Sequence, residues 1–341
     1  MSTPLPKLSY VLLSHNREKY IRAAIESAFA QDYEGELEYI FSDDCSTDRT
    51  FEIIKECVAE YKGNRRVVVT QTPRNLNLAG NTNHAVQFVT SDWIVRADDD
   101  DFSVHNRCSL VGQAIADNPG CTYVYTQMEN FTDDMEDVIT GKLHIKSTKT
   151  VYNKIHVLSG EHDFWKTFSK KNTLHQVWSM KHFREFGPLP LDGYWVDDVI
   201  ANMRCCALGY GVSLDAVTAY IRNGSANMSR GGDDGRSGYS AIMRLEKFND
   251  QYFNTTHQPL LREKDKVSNY LGEKDGHSFM ESIEADLNRR SLLCTFWRKG
   301  TMNRITVSRK LGYHGPFAMI RCLPMPVYAC ILALYRKLLK K

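Results

Sequence analysis

The sequence predicts an α/β domain around a mainly parallel, Rossmann-like sheet with helices on both faces, on the strength of two observations. Short β-rich runs alternate with helical periodicities through residues 8–126, and polar clusters follow the runs rather than the helices. Leu8 to Leu13 reads as a buried strand, and Ile21, Ala24, Ile25, Ala28 and Phe29 then recur at helical spacing. Glu38 to Phe41 gives a second strand, with a helix striped by Phe51, Ile54, Cys57, Val58 and Tyr61. Arg66 to Gln71 is the third strand, and a helix with Ala85, Val86 and Val89 leads to a fourth at Trp93 to Ala97. Ser103 is expected to cap a helix carrying Val104, Leu110, Val111, Ala114 and Ile115, before a strand at Cys121 to Thr126. A further helix is expected from Asp197, with Val199, Met203 and Cys206 on one stripe.

In such a sheet ligands bind beyond the carboxyl ends of the strands, where crossover helices bring polar loops together. Ser14-His15-Asn16 follows the first strand, Asp43-Asp44-Cys45-Ser46-Thr47-Asp48 the second, and Asp98 to Asp101 the fourth. The same end of the sheet therefore collects all three clusters.

The 341 residues suffice for a substantial core, and 42% hydrophobic with 25% charged residues exclude a fibrous or low-complexity chain. The net charge of +2 conceals an asymmetry. Residues 287–341 hold twelve of the 43 Lys and Arg and no acid, which leaves 31 basic against 41 acidic residues before them. Nine scattered cysteines lack metal-ligand spacing, and adjacent Cys205 and Cys206 suit neither a mutual disulfide nor a shared metal, so reduced thiols in the cytoplasm are expected. The opening MSTPLPKLSYVLLSHN has too short an apolar run to read as a signal peptide or a spanning helix.

Four consecutive Asp residues repel one another unless a cation neutralises them, and hard oxygen ligands suit Mg²⁺ or Mn²⁺, which takes one or two carboxylates and fills its shell with water and diphosphate. A solvated acidic turn is the alternative; a calcium loop lacks its Gly and terminal Glu. Asp43 and Asp44 read alone as turn residues, with Ser46 or Thr47 as a helix cap. Beside the Asp98 to Asp101 cluster they read as a nucleotide contact, since a carboxylate accepts from a base N–H or a ribose hydroxyl. Read alone, Asp197 is an N-cap and Asp198 a first-turn acid of the helix that follows, or one of the two is a single carboxylate base. His84, His105 and His175 have no metal-site spacing, and Gly209-Tyr210-Gly211 reads as a helix-terminating turn.

The stretch from Leu8 to Thr50 resembles the opening of family 2 glycosyltransferases of the GT-A fold. Ser14-His15-Asn16 stands for their usual Pro-Thr-Tyr-Asn ending, and DDCSTD for their DDGSTD. VRADDDD is similar to their DxDD signature, Asn83-His84-Ala85 to their Arg-Asn-x-Gly helix start with Thr82 in place of Arg, and Asp197-Asp198 followed by Arg204 to their Glu-Asp-(x5)-Arg helix. The resemblance covers about 8–222. It implies an inverting glycosyltransferase that uses Mn²⁺ or Mg²⁺ and a nucleotide sugar, with UDP expected. By resemblance Asp44 contacts the base, Asp98 or Asp99 the ribose, Asp100 the metal, and Asp198 is the general base. Ser14, Asn16 and Asn83 complete the nucleotide-sugar site, while Arg222, Asn227 and Ser229 are expected in a loop over the diphosphate or acceptor.

The expected organisation is a catalytic domain over 1–222, with a nucleotide-binding half (1–126) and an acceptor half (127–222), a Gly-, Ser- and Asn-rich flexible loop at 223–240, and a helical basic C-terminal segment over 241–341. Pro324 and Pro326 interrupt the last apolar run, and Val327 to Tyr335 is too short to span a bilayer. Lying beside RKLLKK, it reads as an interfacial element on an anionic membrane surface rather than as a nucleic-acid site; a core-packing helix with a solvated basic end is the alternative. The expected setting is the inner face of the plasma membrane, with a carbohydrate or undecaprenyl-linked glycan as acceptor in O-antigen or capsule assembly. A sugar nucleotidyltransferase and a catalytically silent glycan-binding scaffold are the other readings.

Overall fold

The computed structural model describes residues 4–131, 152–155, 176–191, 197–222, 259, 262–272 and 281. Met1–Asn223 together with Pro259–Met280 form one compact unit, and all the described residues except 281 belong to it. The expected flexible loop at 223–240, with Asn227 and Ser229, lies outside the described residues, as do His175 and nearly all of the basic C-terminal segment.

β1 (Leu8–Ser14), β2 (Leu37–Asp43) and β4 (Trp93–Asp98) are buried almost throughout, and β3 (Val67–Gln71) is half-buried. They pair in parallel in the order β3-β2-β1-β4, as continuous apolar runs covered on both faces should. Alternation sorts their side chains. Leu8, Tyr10 and Leu12 pack with Tyr39 and Phe41 against α1 (Ile21–Phe29), α2 (Thr50–Glu60) and α4 (Arg107–Asp117). Val11, Leu13, Ile40 and Ile94 face α3 (Asn77–Ala85), the short 3₁₀ turn Val86–Phe88 and α5 (Lys181–Phe186). Helices thus cover both faces. Each fully buried Leu, Ile or Phe contributes about 1.5–3 kcal/mol of transfer free energy.

Beyond β4 the sheet departs from the mainly parallel expectation. β8 (Val177–Ser179) inserts antiparallel between β4 and β6 (Cys121–Phe131), and β6 then pairs in parallel with β9 (Tyr210–Arg222). β5 (Phe102–Ser103) and β7 (Tyr152–Ile155) both lie antiparallel to β9. Pairing with Ala219 draws Ser103 into β5, so α4 begins at Arg107 and Ser103 is not its cap. β6 runs five residues past Thr126 because β9 continues to pair with it. α3 also starts earlier than the apolar pattern suggests: the Asp44 carboxylate accepts from Leu76 N–H and the Asn75 side chain from Asn77 N–H. Asn83-His84-Ala85 therefore form its last turn, not a helix start. α6 (Asp197–Leu208) begins at the expected Asp pair. At its end Gly209 is required, because a Cβ there would sit 2.8 Å from the Gly120 carbonyl oxygen; β9 then begins at Tyr210, within the stretch read as a turn. A last helix, α7, spans residues 262–272.

Candidate active site

Register aligns the ends of the three adjacent parallel strands, for Ser14 pairs with Asp43 and Leu13 with Asp98. The loops that follow interlock. Asp43 accepts from Ser46 N–H at 2.9 Å, Ser46 Oγ at 2.5 Å, Gln71 Nε2 at 2.8 Å and Ser14 Oγ at 3.3 Å, so it builds the loop rather than facing a ligand. The hairpin-like turn after β2 needs Cys45 at φ 54°, and the one after β1 needs Asn16 at φ 52°. Asn16 pays for this strain with bonds across the two loops: its N–H donates to Ser46 Oγ at 2.9 Å, and its Oδ1 accepts from Thr47 N–H at 2.8 Å.

Asp44 is 3% exposed, and its Oδ1 accepts from Thr72 Oγ1 and Leu76 N–H, both at 2.8 Å. His15 Nδ1 meets the Asp44 carbonyl oxygen at 2.8 Å. A carbonyl only accepts, so Nδ1 carries the proton and Nε2 is left to accept from Asn16 Nδ2 at 3.1 Å and Asn75 Nδ2 at 3.0 Å. The His15 backbone N–H donates to Asp99 Oδ2 at 2.8 Å and ties the first loop to the acidic turn.

Within that turn the four carboxylates have different surroundings. Asp98 is held by Arg96 through two contacts, at 2.9 and 3.0 Å. Asp101 accepts from Arg222 N–H at 2.7 Å. Asp99 and Asp100 share Arg17, whose Nε lies 3.7 Å from Asp99 and 3.5 Å from Asp100. Burial, reinforced by the neighbouring carboxylates, raises Asp99 and Asp101 well above the carboxylate range and Asp100 to about 7. Such crowding is relieved by a hard divalent cation, and the oxygen donors fit one. Among the described residues no three Asp, Glu, His or Cys side chains converge as a ligand set; a Mg²⁺ or Mn²⁺ ion held by one or two carboxylates would take the rest of its shell from water and diphosphate oxygens.

Arg222 was expected over the diphosphate. It is 1% exposed, with its guanidinium stacked on Tyr20 at 4.3 Å and Phe131 at 4.6 Å and its Nε donating to the Asp100 carbonyl oxygen at 3.0 Å. Asn83 is likewise engaged elsewhere: its amide forms a two-bond pair with the Leu189 peptide, each bond 2.8 Å. Asp198 is half-buried in the first turn of α6, and the Tyr123 hydroxyl is pushed up above all by burial and, to a small extent, by charges that include that of Asp198. Ser14, Asn16, Asp44 and Asp98 to Asp100 are thus brought together, with Arg222 behind them. His84 binds Thr70 Oγ1 at 2.7 Å, and His105 sits 3.7 Å from Asp32. Arg17 and Thr72 were not singled out by sequence reasoning, although Arg17 directly follows the Ser-His-Asn cluster, and His15 was read only as part of that cluster, without a role of its own.

Residues 9–173 match the family described as Glycosyl transferase family 2. The putative glycosyltransferase EpsE of Bacillus subtilis is 37% identical over 102 residues, 30% of this chain and 36% of that protein. The poly(ribitol-phosphate) β-N-acetylglucosaminyltransferase TarS of Staphylococcus aureus is 31% identical over 98 residues, 28% of this chain and 16% of that protein. The chain spans well under half the length of the curated relatives it matches. Among solved structures, TarS 1–349 of S. aureus in complex with UDP superposes with a TM-score of 0.52 at 14% identity, over 97% of this chain and 91% of that one. The mannosyltransferase PcManGT from Pyrobaculum calidifontis, in complex with GDP-Man and Mn²⁺, gives 0.56 at 14% identity, over 100% and 82%. At that identity the likeness speaks for the fold. Residues 9–173, just under half of the chain, thus match glycosyl transferase family 2, carboxylates are presented at the ends of β2 and β4, and the fold is of the GT-A type.

Proposed function

We propose that the chain is a metal-dependent, inverting glycosyltransferase that moves a sugar from a UDP-sugar to a hydroxyl of a glycan or lipid-linked oligosaccharide in surface-polysaccharide assembly. The observation that carries this reading is the in-register convergence of Asp44 at the end of β2 with Asp99 and Asp100 at the end of β4, on either side of β1. Asp44 Oδ1 is taken by Thr72 and Leu76, and Oδ2 is assigned to uracil N3–H. Ribose is assigned to Asp99, because Arg96 holds both oxygens of Asp98. Ser14 and Asn16 shape the loop around the nucleotide, and Asn83 supports the site from behind through Leu189. Asp100 would hold Mn²⁺ or Mg²⁺, which when bound neutralises charge on the departing diphosphate.

Asp198 takes the proton from the acceptor hydroxyl as its oxygen attacks the anomeric carbon. The new C–O bond forms opposite the breaking bond to the diphosphate, the configuration inverts and UDP leaves. One carboxylate base suffices, unlike the pair a glycosidase needs. Complexes of TarS with UDP-GlcNAc support a UDP-sugar as the first donor to try. Release of UDP from a panel of UDP-sugars with and without Mn²⁺ tests the reading, with the anomeric configuration of the product read by NMR. Pyrophosphate release from a nucleoside triphosphate, with no UDP formed, would overturn it in favour of a nucleotidyltransferase.

A further inference from the structure

We infer that Glu263 and Asn83 are positioning residues that fix the approach of the base-bearing helix α6, an inference that rests on the assignment of Asp198 as the base. Four consecutive backbone groups ahead of α6 are taken up by two side chains from different elements. Arg204, two turns into α6, donates to the carbonyl oxygens of Gly187 at 2.6 Å and Pro188 at 3.1 Å. Asn83, in the last turn of α3, closes on both the N–H and the carbonyl of Leu189. Gly187 permits the geometry, because its φ of 73° would strain any residue with a Cβ. From Leu189, eight residues lead to Asp198.

Arg204 needs a counter-charge to do this, for its side chain is fully buried and an uncompensated guanidinium there would be costly. Glu263 of α7 supplies it, with Oε2 2.8 Å from Nε and 2.7 Å from Nη2, and is itself 1% exposed. Its other oxygen accepts from Lys266 Nζ at 2.8 Å. Burial pushes the Arg204 pKa down, and the charge and hydrogen bond of Glu263 oppose that shift. Buried Arg–Glu pairs return little net stability relative to apolar packing of equal volume. What this pair supplies is direction: it holds the fork of Arg204 on the 187–188 carbonyls, and the Asn83 pair holds the next residue from α3. Together they anchor residues 187–189 and the middle of α6 from two elements, α3 and α7.

The test uses the full chain with Mn²⁺ and a responsive UDP-sugar. Glu263→Gln and Asn83→Ala are each expected to bind UDP in calorimetry as the parent does, while kcat falls by up to roughly 10²-fold, the effect of a displacement of about 1 Å at a reacting group. Glu263→Asp, which keeps the charge, should recover part of the rate. Parental kcat in both variants, or a kcat loss matched by an equal loss of UDP affinity, would overturn the inference; the second result would make Asn83 a donor contact. If Glu263→Gln fails to fold, Asn83→Ala decides, since it leaves the ion pair intact. Asp198→Asn run in parallel keeps the two readings apart. Full transfer by that variant removes the base assignment, whereas an inactive Asp198→Asn beside fully active Glu263 and Asn83 variants removes only the positioning role.

Discussion

Arg222 donates from Nε to the Asp100 carbonyl oxygen at 3.0 Å while its own N–H binds the Asp101 carboxylate at 2.7 Å, so the end of β9 and the acidic turn hold each other in place. The guanidinium is caged by Tyr20, Phe102 and Phe131, a planar arrangement that a lysine ammonium cannot reproduce. Arg222→Met should lower the melting temperature and weaken Mn²⁺-dependent UDP binding about tenfold, the worth of one charge-assisted hydrogen bond. Arg222→Lys should not rescue it. Parental UDP affinity of Arg222→Met in calorimetry would show that the cage does not set the turn.

Asp100 accepts no hydrogen bond from the described residues and has Arg17 as its nearest cation, at 3.5 Å. Asp100→Asn removes a charge without removing a structural bond, so the fold should persist. UDP with Mn²⁺ at one hundred times Kd should stabilise the parent by about 2.7 kcal/mol and this variant by much less. Thermal shift with and without Mn²⁺ reads the difference, and equal shifts would reassign the metal ligand.

For the base, Asp198→Asn should retain UDP and metal binding and lose roughly 10²–10⁴-fold in transfer rate. Asp197→Asn should cost less, because an N-terminal acid on a helix acts mainly through the dipole and capping. A reversed order in initial-rate measurements would move the base to Asp197.

β1, β2 and β4 were legible because each is buried on both faces and reads as a largely apolar run, and the acidic cluster was legible because four carboxylates demand compensation. Ser103 was not, since its strand is two residues long and exists only through pairing with Tyr220 and Ala219 far along the chain. The same holds for β8, whose antiparallel insertion depends on partners in β4 and β6. Site residues followed the same division. Asp44 and Asp100 sit beside strand ends visible in the sequence, whereas the roles of Asn83 and Arg222 depend on Leu189 and Asp100, partners more than a hundred positions away.

The basic segment lies outside the described residues, and among those described no helix is long and apolar enough to cross a membrane. Twelve Lys and Arg without an acid over 287–341, beside the aliphatic run VYACILAL, fit a docking element for anionic lipid worth about 1 kcal/mol per basic residue near the surface. Removing 317–341 should move the protein from vesicle pellet to supernatant and impair a lipid-linked acceptor while sparing a short soluble one. Persistent co-sedimentation with anionic vesicles at moderate salt would place membrane affinity elsewhere.

His182 provides a prediction in pH. Its ring is fully buried between Trp178 and Phe183, neither nitrogen has a hydrogen-bond partner among the described residues, and burial followed by the charge of Arg204 pushes its pKa well below the ordinary value. The folded protein therefore keeps the imidazole neutral, while the unfolded chain takes up the proton once the pH falls below about 6.5. The unfolded state then binds more protons, so this residue's contribution is intact above that pH and is lost progressively below it. Urea midpoints at about pH 7.5 and about pH 5.5 bracket the ordinary histidine pKa. The parent should lose more stability between them than His182→Leu, which cannot titrate. Equal losses in the two proteins would mean that the imidazole is protonated within the fold, with a buried partner for its charge.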